Sequence, residues 1–336
     1  MYMFKYVLKR LGLMIMTFSI IFVMCFVLIK MLPIVVSAAT GDAADIMYAQ
    51  LEARGYIMNV VRDPVAGTYT FDNVPVMIQL GNYLTRIFTE GDFGIGTSMV
   101  QFANQPVWDV FVEKLPPTIL INIYSSLIGV PIGLGLGIFA ALKKNKWQDQ
   151  LINVVVILMI SLPSLVFGLL VQYFLCFKLQ WFPITMKSGY DYFTWDMFRS
   201  MLPAVLSLCL GSIAAYTRYT RAELTEVLTS EFMLLARTKG LTRSQATVRH
   251  ALRNSMVPIF PMILGEFIGV LSGSLIIEQM FSIPGVGGLY LSAINSLDYD
   301  FFMLLSGFYT LVGLSAGIIV DISYGFIDPR IRMGAK

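Results

Sequence analysis

The stretch from Thr229 to Pro258 reads TSEFMLLARTKGLTRSQATVRHALRNSMVP, a polar and basic segment with a hydrophobic run on either side. It predicts two short helices. Ser230 can cap the first, because its hydroxyl can accept a free amide hydrogen of the first turn, and Gly240 supplies a left-handed stop. Thr242–Gln245 matches a capping box that opens the second. The segment therefore predicts a structured loop between two membrane spans.

The first of these helices is about nine residues long, which is too short to be stable alone in water. Phe232, Leu235 and Ala236 fall on one face, whereas Arg237 and Lys239 lie towards its negative end. The residues leave two alternatives open. The helix packs against its own protein or in the groove of a partner, or it lies on the lipid surface, which basic residues also favour.

The composition around this segment is that of a polytopic membrane protein. Hydrophobic residues make up 57% and charged residues 13%, against about 25% charged residues in a soluble domain. A helix needs about 20 apolar residues to cross a bilayer. The segments that qualify are Leu11–Met31, Pro117–Leu142, Leu151–Phe177, Met201–Tyr216, Met256–Glu278 and Phe302–Tyr324. The sequence thus predicts an all-α protein with six transmembrane helices.

The distribution of lysine and arginine orients these spans. With a cytoplasmic N-terminus, the inner segments hold sixteen of the twenty-four basic residues, whereas the outer loop Phe281–Phe301 holds none. Cytoplasmic loops carry an excess of basic residues, so both termini are predicted to be cytoplasmic. The sixteen are Lys5, Lys9, Arg10, Lys143, Lys144, Lys146, Arg218, Arg221, Arg237, Lys239, Arg243, Arg249, Arg253, Arg330, Arg332 and Lys336.

The predicted orientation divides the chain into three parts. Residues 1–32 form an N-terminal segment with the first helix, and residues 33–116 form a long extracytoplasmic insert. The insert is too polar to span the membrane, yet it holds apolar patches such as Val74–Leu80. Residues 117–336 form the core with five helices, including a cytoplasmic loop at 218–255. A loop as long as the insert is usually functional or disordered.

Glycines at helical spacing and prolines occur within the predicted spans. Gly129, Gly133 and Gly137 lie four residues apart on one helix face, and this spacing lets two helix backbones approach closely in a membrane. Ordinary helix packing is the favoured reading, and a role in gating is the alternative. Pro131 and Pro163 are predicted to kink their helices, because each lacks a backbone donor.

Glu266 is the one acidic residue deep inside a predicted span. A charge near the bilayer centre is costly unless it meets water or a partner. Two readings stay open. In one, Glu266 lies in a translocation path and contacts a cationic part of a substrate; in the other, it is protonated or hydrogen-bonded to a neighbouring helix. The three cysteines and the single histidine show no metal-ligand spacing, so no metal site is predicted.

The pattern Glu231–Gly240, followed by Arg249–Asn254 and Pro258, resembles the EAA-type loop of binding-protein-dependent ABC importer permeases. The resemblance is closest to the peptide and nickel permease family, first-subunit type. The other matching motifs are Tyr6–Arg10, Gly91–Gly94, Lys114–Thr118, Phe281–Gly287, and Asp321 with Asp328–Arg330. The insert between Pro33 and Gly91 departs from the pattern.

The resemblance implies a type I importer permease in the cell (inner) membrane, whose first cytoplasmic helix couples it to separate ATPase subunits. The residues it assigns to coupling, by motif position or by the face they share, are Glu231, Phe232, Leu235, Ala236, Arg237, Lys239 and Gly240. It implies a second homologous permease, two ATPase subunits, an extracytoplasmic solute-binding protein and a peptide substrate, with nickel as the alternative.

Several other function classes are disfavoured by missing motifs. The chain has no G-x-x-x-x-G-K-[ST] phosphate loop, so ATP is expected on partner subunits and no cofactor is expected on this chain. It has no nucleophile elbow or zinc-protease motif either, so it is not expected to be an enzyme. A gradient-driven secondary transporter is a weaker alternative, because such proteins commonly carry repeats and several intramembrane charges. A scaffold without transport activity is weaker still, and nucleic acid is not an expected partner.

Overall fold

A computed structural model of the chain describes residues 2–34, 42–63 and 67–327. The predicted basic C-terminus with Arg330, Arg332 and Lys336, and the Asp328–Arg330 motif, lie outside the described residues. The helices and strands are α1 Tyr2–Lys30, α2 Asp42–Ala53, β1 Ile57–Arg62, β2 Tyr69–Asn73, α3 Val76–Glu90, α4 Val107–Leu142, α5 Trp147–Ser161, α6 Ser164–Val171, α7 Trp195–Leu228, α8 Glu231–Thr238, α9 Arg243–Ala246, α10 Leu252–Gly269, α11 Leu275–Met280, α12 Val286–Ser296 and α13 Tyr299–Ile327.

The described residues are mostly helical, and five helices are long and apolar enough to cross a membrane. A sixth is reached if α5 and the helix beginning with α6 form one span, which bends by 103°. The predicted span Leu151–Phe177 is therefore two helices rather than one kinked helix. Leu162 takes an extended conformation with φ −86° and ψ 129°, because the residue before a proline avoids the helical region. The expected kink at Pro163 is thus a sharp break.

The predicted end of the fifth span at Glu278 is also wrong. The helical path that begins at Arg243 passes Pro258 and ends at Ser272. Gly273 follows with φ 64°, and a Cβ built there would lie 2.3 Å from Glu278 Oε1 and 2.7 Å from Thr118 Cγ2. Only glycine fits at this position, and Glu278 belongs to the separate helix α11.

Two predicted spans are longer than their apolar cores. Helix α4 begins at Val107, ahead of the predicted start at Pro117, and continues without a break through Pro116, Pro117 and Pro131. Helix α7 continues past Tyr216 to Leu228, so residues 218–228 of the predicted cytoplasmic loop are helical. Hydropathy marks only the part of a helix that the membrane covers. The helix itself continues while its backbone hydrogen bonds can form.

The chain divides into two compact units, of which the first comprises residues 1–116 and 284–314. The insert contributes α2, α3 and an antiparallel hairpin in which Ile57 pairs with Asn73 and Arg62 with Tyr69. The prediction of an all-α protein is therefore wrong for this part. The hairpin strands are rich in β-branched and aromatic residues, which favour a pleated surface. Their apolar side packs with Leu51 and Tyr83 in one buried cluster.

Two aspartates at the start of α13 hold segments of the first unit together. Asp298 Oδ2 accepts backbone hydrogen bonds from Thr97, Ser98 and Met99 at 2.8, 2.8 and 3.2 Å. Asp300 accepts the hydroxyl of Tyr56 at 2.6 Å and the amide of Ile95 at 3.1 Å. Both aspartates are almost fully buried. They therefore join segments some two hundred residues apart in sequence into one polar network.

Replacing Asp298 with alanine is expected to lower the thermal midpoint of the purified protein by several degrees. Three backbone N–H groups would lose their acceptor, and each unsatisfied buried donor costs about 1–3 kcal/mol. Thermal unfolding in detergent measures the effect. Asp196, whose side chain is 68% exposed, provides the control, and Asp196→Ala should leave the midpoint unchanged. Equal midpoints for the two variants would contradict the role given to Asp298.

The same comparison has a pH dependence. Burial raises the pKa of the Asp298 carboxyl above its ordinary value, although its three backbone donors oppose the shift. A raised folded-state pKa contributes stability that is present at low pH and lost as the pH rises through that pKa. The gap between the midpoints of wild type and Asp298→Ala should therefore widen as the pH is lowered towards the ordinary pKa of an aspartate.

The second unit comprises residues 117–283 and 315–336. Its largest buried cluster joins α4, α7 and α11 through residues such as Ile121, Met201, Val205 and Ile277. A smaller cluster lies where α4 and α7 end and α8 begins. This unit carries every residue that the sequence assigns to coupling, helix packing or a translocation path.

Candidate functional site

Helix α8 begins at Glu231 and is followed by Gly240 with φ 90°, so its predicted start and its left-handed stop are confirmed. The predicted side-chain cap is wrong. The Ser230 hydroxyl donates instead to the carbonyl of Val227 at 2.7 Å. That carbonyl belongs to the last turn of α7, where helix carbonyls lack intrahelical partners, and the serine satisfies it rather than an amide of α8.

The faces of α8 differ from the predicted ones. Met233 and Ala236 are buried, whereas Phe232, Leu234 and Leu235 are 45%, 64% and 54% exposed. Ala236 was expected beside Phe232 and Leu235 on the outward apolar face, and that expectation is wrong. Ala236 instead faces the protein, and its small side chain lets α8 pack closely on the ends of α4 and α7. Leu234, which the sequence reasoning missed, is the most exposed of the three large apolar side chains.

The buried side of α8 is held by its own chain. Met233 and Ala236 share a cluster with Ala141 at the end of α4 and Leu224 near the end of α7. The ring of Phe232 meets that of His250 edge-on, with centroids 5.6 Å apart. A short helix that is unstable alone is thus fixed by tertiary contacts. A push on α8 would be passed to the ends of two long helices.

The charged residues of α8 face outward. Glu231, Arg237 and Lys239 are exposed, and none of the ion pairs among the described residues involves them. The predicted capping box follows: Thr242 accepts the amide of Gln245, and the Gln245 side chain accepts the amide of Thr242. The loop therefore presents a mixed apolar and charged surface on a rigid base.

An ion pair that the sequence reasoning missed braces this region. Arg221 of α7 contacts both carboxylate oxygens of Asp149 in the first turn of α5, with Nη2 to Oδ2 at 2.8 Å. Asp149 also accepts the amide of Asn145 at 2.9 Å, and its side chain is 2% exposed. Bidentate pairing fixes orientation as well as distance. The contact ties α5 to α7 about two turns before α7 ends at Leu228, and it has no local sequence signal.

The three glycines of α4 lie against α7. A Cβ at Gly129 would lie 2.9 Å from the Cβ of Ser212, one at Gly133 2.7 Å from that of Tyr216, and one at Gly137 2.6 Å from that of Thr220. These separations are shorter than side chains tolerate. Each glycine thus meets the stem of a residue on α7, and the two helix backbones approach closely.

Glu266 on α10 lies in a polar cluster within the second unit. Its Oε1 accepts hydrogen bonds from Ser212 of α7 at 2.6 Å and Ser126 of α4 at 3.3 Å. The hydroxyl of Tyr216 is a further neighbour of the carboxylate. Among the described residues, no group of three or more His, Cys, Asp or Glu side chains is placed to hold a metal ion.

The comparisons with known proteins bear on these features. Residues 133–333, which hold α8, Gly133, Gly137 and Glu266, match the model of the binding-protein-dependent transport system inner membrane component family. The chain belongs to this family. The dipeptide transport system permease protein DppB of Lactococcus lactis subsp. cremoris is 32% identical over 98% of this chain and 100% of its own.

Two further relatives extend the comparison. The glutathione transport system permease protein GsiC of Salmonella typhimurium is 31% identical over 98% of this chain and 99% of its own. A solved inward-facing structure of the MetNI methionine ABC transporter matches 64% of this chain and 97% of its own, with 14% identity and a TM-score of 0.49. The family match and the two permease relatives show that the chain is an ABC importer permease of the inner membrane, a transport subunit.

Proposed function

We propose that this permease imports peptides, together with a second homologous permease, two ATPase subunits and an extracytoplasmic solute-binding protein. The curated relatives support the substrate class, because one is named for dipeptides and another for glutathione, which is itself a peptide. ATP is bound and hydrolysed on the partner subunits, since this chain carries no phosphate-binding loop.

The topology we propose has six spans, counting the bent pair Trp147–Ser161 and Ser164–Lys178 as one, with both termini in the cytoplasm. The bias of lysine and arginine supports this orientation. It puts α8 and the loop around it in the cytoplasm. It also puts the insert, with α2, α3 and the hairpin, outside.

The observation that carries the proposal is the geometry of α8. Phe232, Leu234 and Leu235 form an exposed apolar patch, while the opposite side of the helix is fixed to α4 and α7. Such a patch on a rigid element suits insertion into a groove of a partner. Glu231, Arg237 and Lys239 rim the patch, where they can pair with charges on the ATPase.

The mechanism follows from this attachment. Closure of the nucleotide-binding subunits displaces α8 as a rigid lever, and the ends of α4 and α7 move with it. The Arg221–Asp149 pair carries the displacement to α5. Rigid-body movements of packed helices are an established form of switching transition, and here they alternate the access of a path between two permeases.

The test is reconstitution of the complex that purifies through a tag on this chain. Two ATPase subunits and a second permease should co-purify. Proteoliposomes should take up a labelled dipeptide only when ATP is supplied on the side that α8 faces and the binding protein is supplied on the opposite side. Uptake that survives ATP depletion but collapses with the proton gradient would contradict the proposal. Labelling of Lys239 by an impermeant reagent from outside intact cells would contradict the topology.

A further inference from the structure

Among the residues that the structure describes, the carboxylate of Glu266 has no cationic partner. Its interactions within the described residues are with the hydroxyls of Ser126, Ser212 and Tyr216, and no lysine or arginine described forms an ion pair with it. Intramembrane carboxylates usually pair with a positive group or face water, because the isolated charge is costly. A proton, or a cation from outside the described residues, must therefore neutralise the carboxylate.

The position of Glu266 within the membrane is deep. At 1.5 Å per residue, the 13 residues from Arg253 to Glu266 span about 20 Å of helix, against a hydrocarbon core of about 30 Å. The side chain is only half-buried. A half-buried carboxylate at this depth cannot turn its open side to lipid without a large cost, so we infer that this side faces the water-filled path or the second permease.

The surrounding hydroxyls leave the Glu266 carboxylate able to accept further hydrogen bonds. A carboxylate offers about four acceptor positions, and the described contacts are three hydroxyl groups from two other helices. The two serines hold Oε1 from α4 and α7, so the carboxylate is oriented before any ligand arrives. An arriving ammonium group gains a charge-assisted hydrogen bond, which is stronger than a neutral one.

We propose that Glu266, held by Ser126 and Ser212, is the subsite that receives the protonated amino terminus of the transported peptide. The inference rests on the proposed peptide-import function. It adds a polarity to transport, since the amino-terminal end of the peptide is the end that meets this part of the path. The other reading, a protonated carboxyl that only joins three helices, is an outcome of the test.

The experiment compares Glu266→Gln and Glu266→Asp in the reconstituted complex, with a labelled tripeptide as the probe. Glutamine keeps the size and removes the charge, so uptake should fall by at least about tenfold, as expected for loss of a charge-assisted hydrogen bond. Aspartate keeps the charge and should retain much more activity. Glu226→Gln, an exposed position near the end of α7, is the matched control and should transport like wild type.

Three readouts separate the outcomes. Wild-type uptake at Glu266→Gln would overturn the proposal, and so would equal losses in the Gln and Asp variants, which would indicate packing rather than charge. If Glu266→Gln does not assemble, Ser212→Ala removes the shorter hydrogen bond and keeps the carboxylate. It should raise the KM for the tripeptide with kcat retained, and an unchanged KM would overturn the proposal. Failure of the proposed function is distinct, since the wild type would then show no ATP-driven peptide uptake.

Discussion

Replacing Leu235 with glutamate is expected to abolish ATP-driven uptake while leaving the protein folded. Around the helix axis, Leu235 lies between Phe232 and Leu234 in the apolar patch of α8, and its side chain is 54% exposed. A charge in the centre of an interface removes an anchor and must be desolvated. Loss of a hot-spot side chain costs at least about 2 kcal/mol, so ATPase affinity should fall by about thirtyfold or more. Co-purification of the ATPase subunits and uptake by proteoliposomes measure this.

The controls separate docking from folding. Phe88→Glu changes a still more exposed apolar residue on α3, where the side chain is 83% exposed, and it should not release the ATPase. Ala236→Leu enlarges a buried residue of α8, so it should lower the thermal midpoint, whereas Leu235→Glu should not. Retained ATPase in Leu235→Glu would show that the patch is not the docking surface.

The second large effect is expected at Gly133, where leucine should prevent recovery of stable folded protein. A Cβ there would lie 2.7 Å from the Cβ of Tyr216 and 2.9 Å from the carbonyl oxygen of Ile213. A side-chain rotation moves neither atom aside, because one is a Cβ and the other is a backbone oxygen. Overpacking of a close contact typically costs about 1–3 kcal/mol, and a leucine side chain has no space at all.

Gly135 makes a matched control two residues away on the same helix. Nothing lies within 4 Å of a Cβ built there, so Gly135→Leu should fold and purify like wild type. Size-exclusion profiles and thermal midpoints in detergent compare the two variants. Gly133→Ala should fall between them, because it adds one methyl group at the same contact. Equal stability of Gly133→Leu and Gly135→Leu would contradict the close packing of α4 on α7.

Features that depend on neighbouring residues were predictable from the sequence. The start of α8 at Glu231, the stop at Gly240 and the capping box at Thr242 are confirmed. Each rests on contacts within a few residues, which the local sequence determines. Membership of an importer family was predicted in the same way, from motifs, and the comparisons confirm it.

Features that depend on distant residues were not predictable. The sequence placed Ala236 outward because a helical wheel shows which residues share a face, but not which face meets the protein. The Ser230 cap is a local exception, because its hydroxyl bonds to Val227, three residues earlier, and not to α8. The hairpin in the insert pairs strands whose partners were not evident from hydropathy. The helices on either side of Pro163 bend by 103°, which is more than a kink, because the surrounding fold accommodates that angle.

By itself, the sequence determined that this chain is a membrane permease and where its short loop helix begins and ends. Hydropathy, charge bias and capping act over a few residues or over whole segments, so order along the chain suffices. Only the tertiary structure decided which side of α8 is free and that Ser126 and Ser212 hold Glu266. Those serines lie 140 and 54 residues from the carboxylate, and contacts at that separation exist only once the helices have packed.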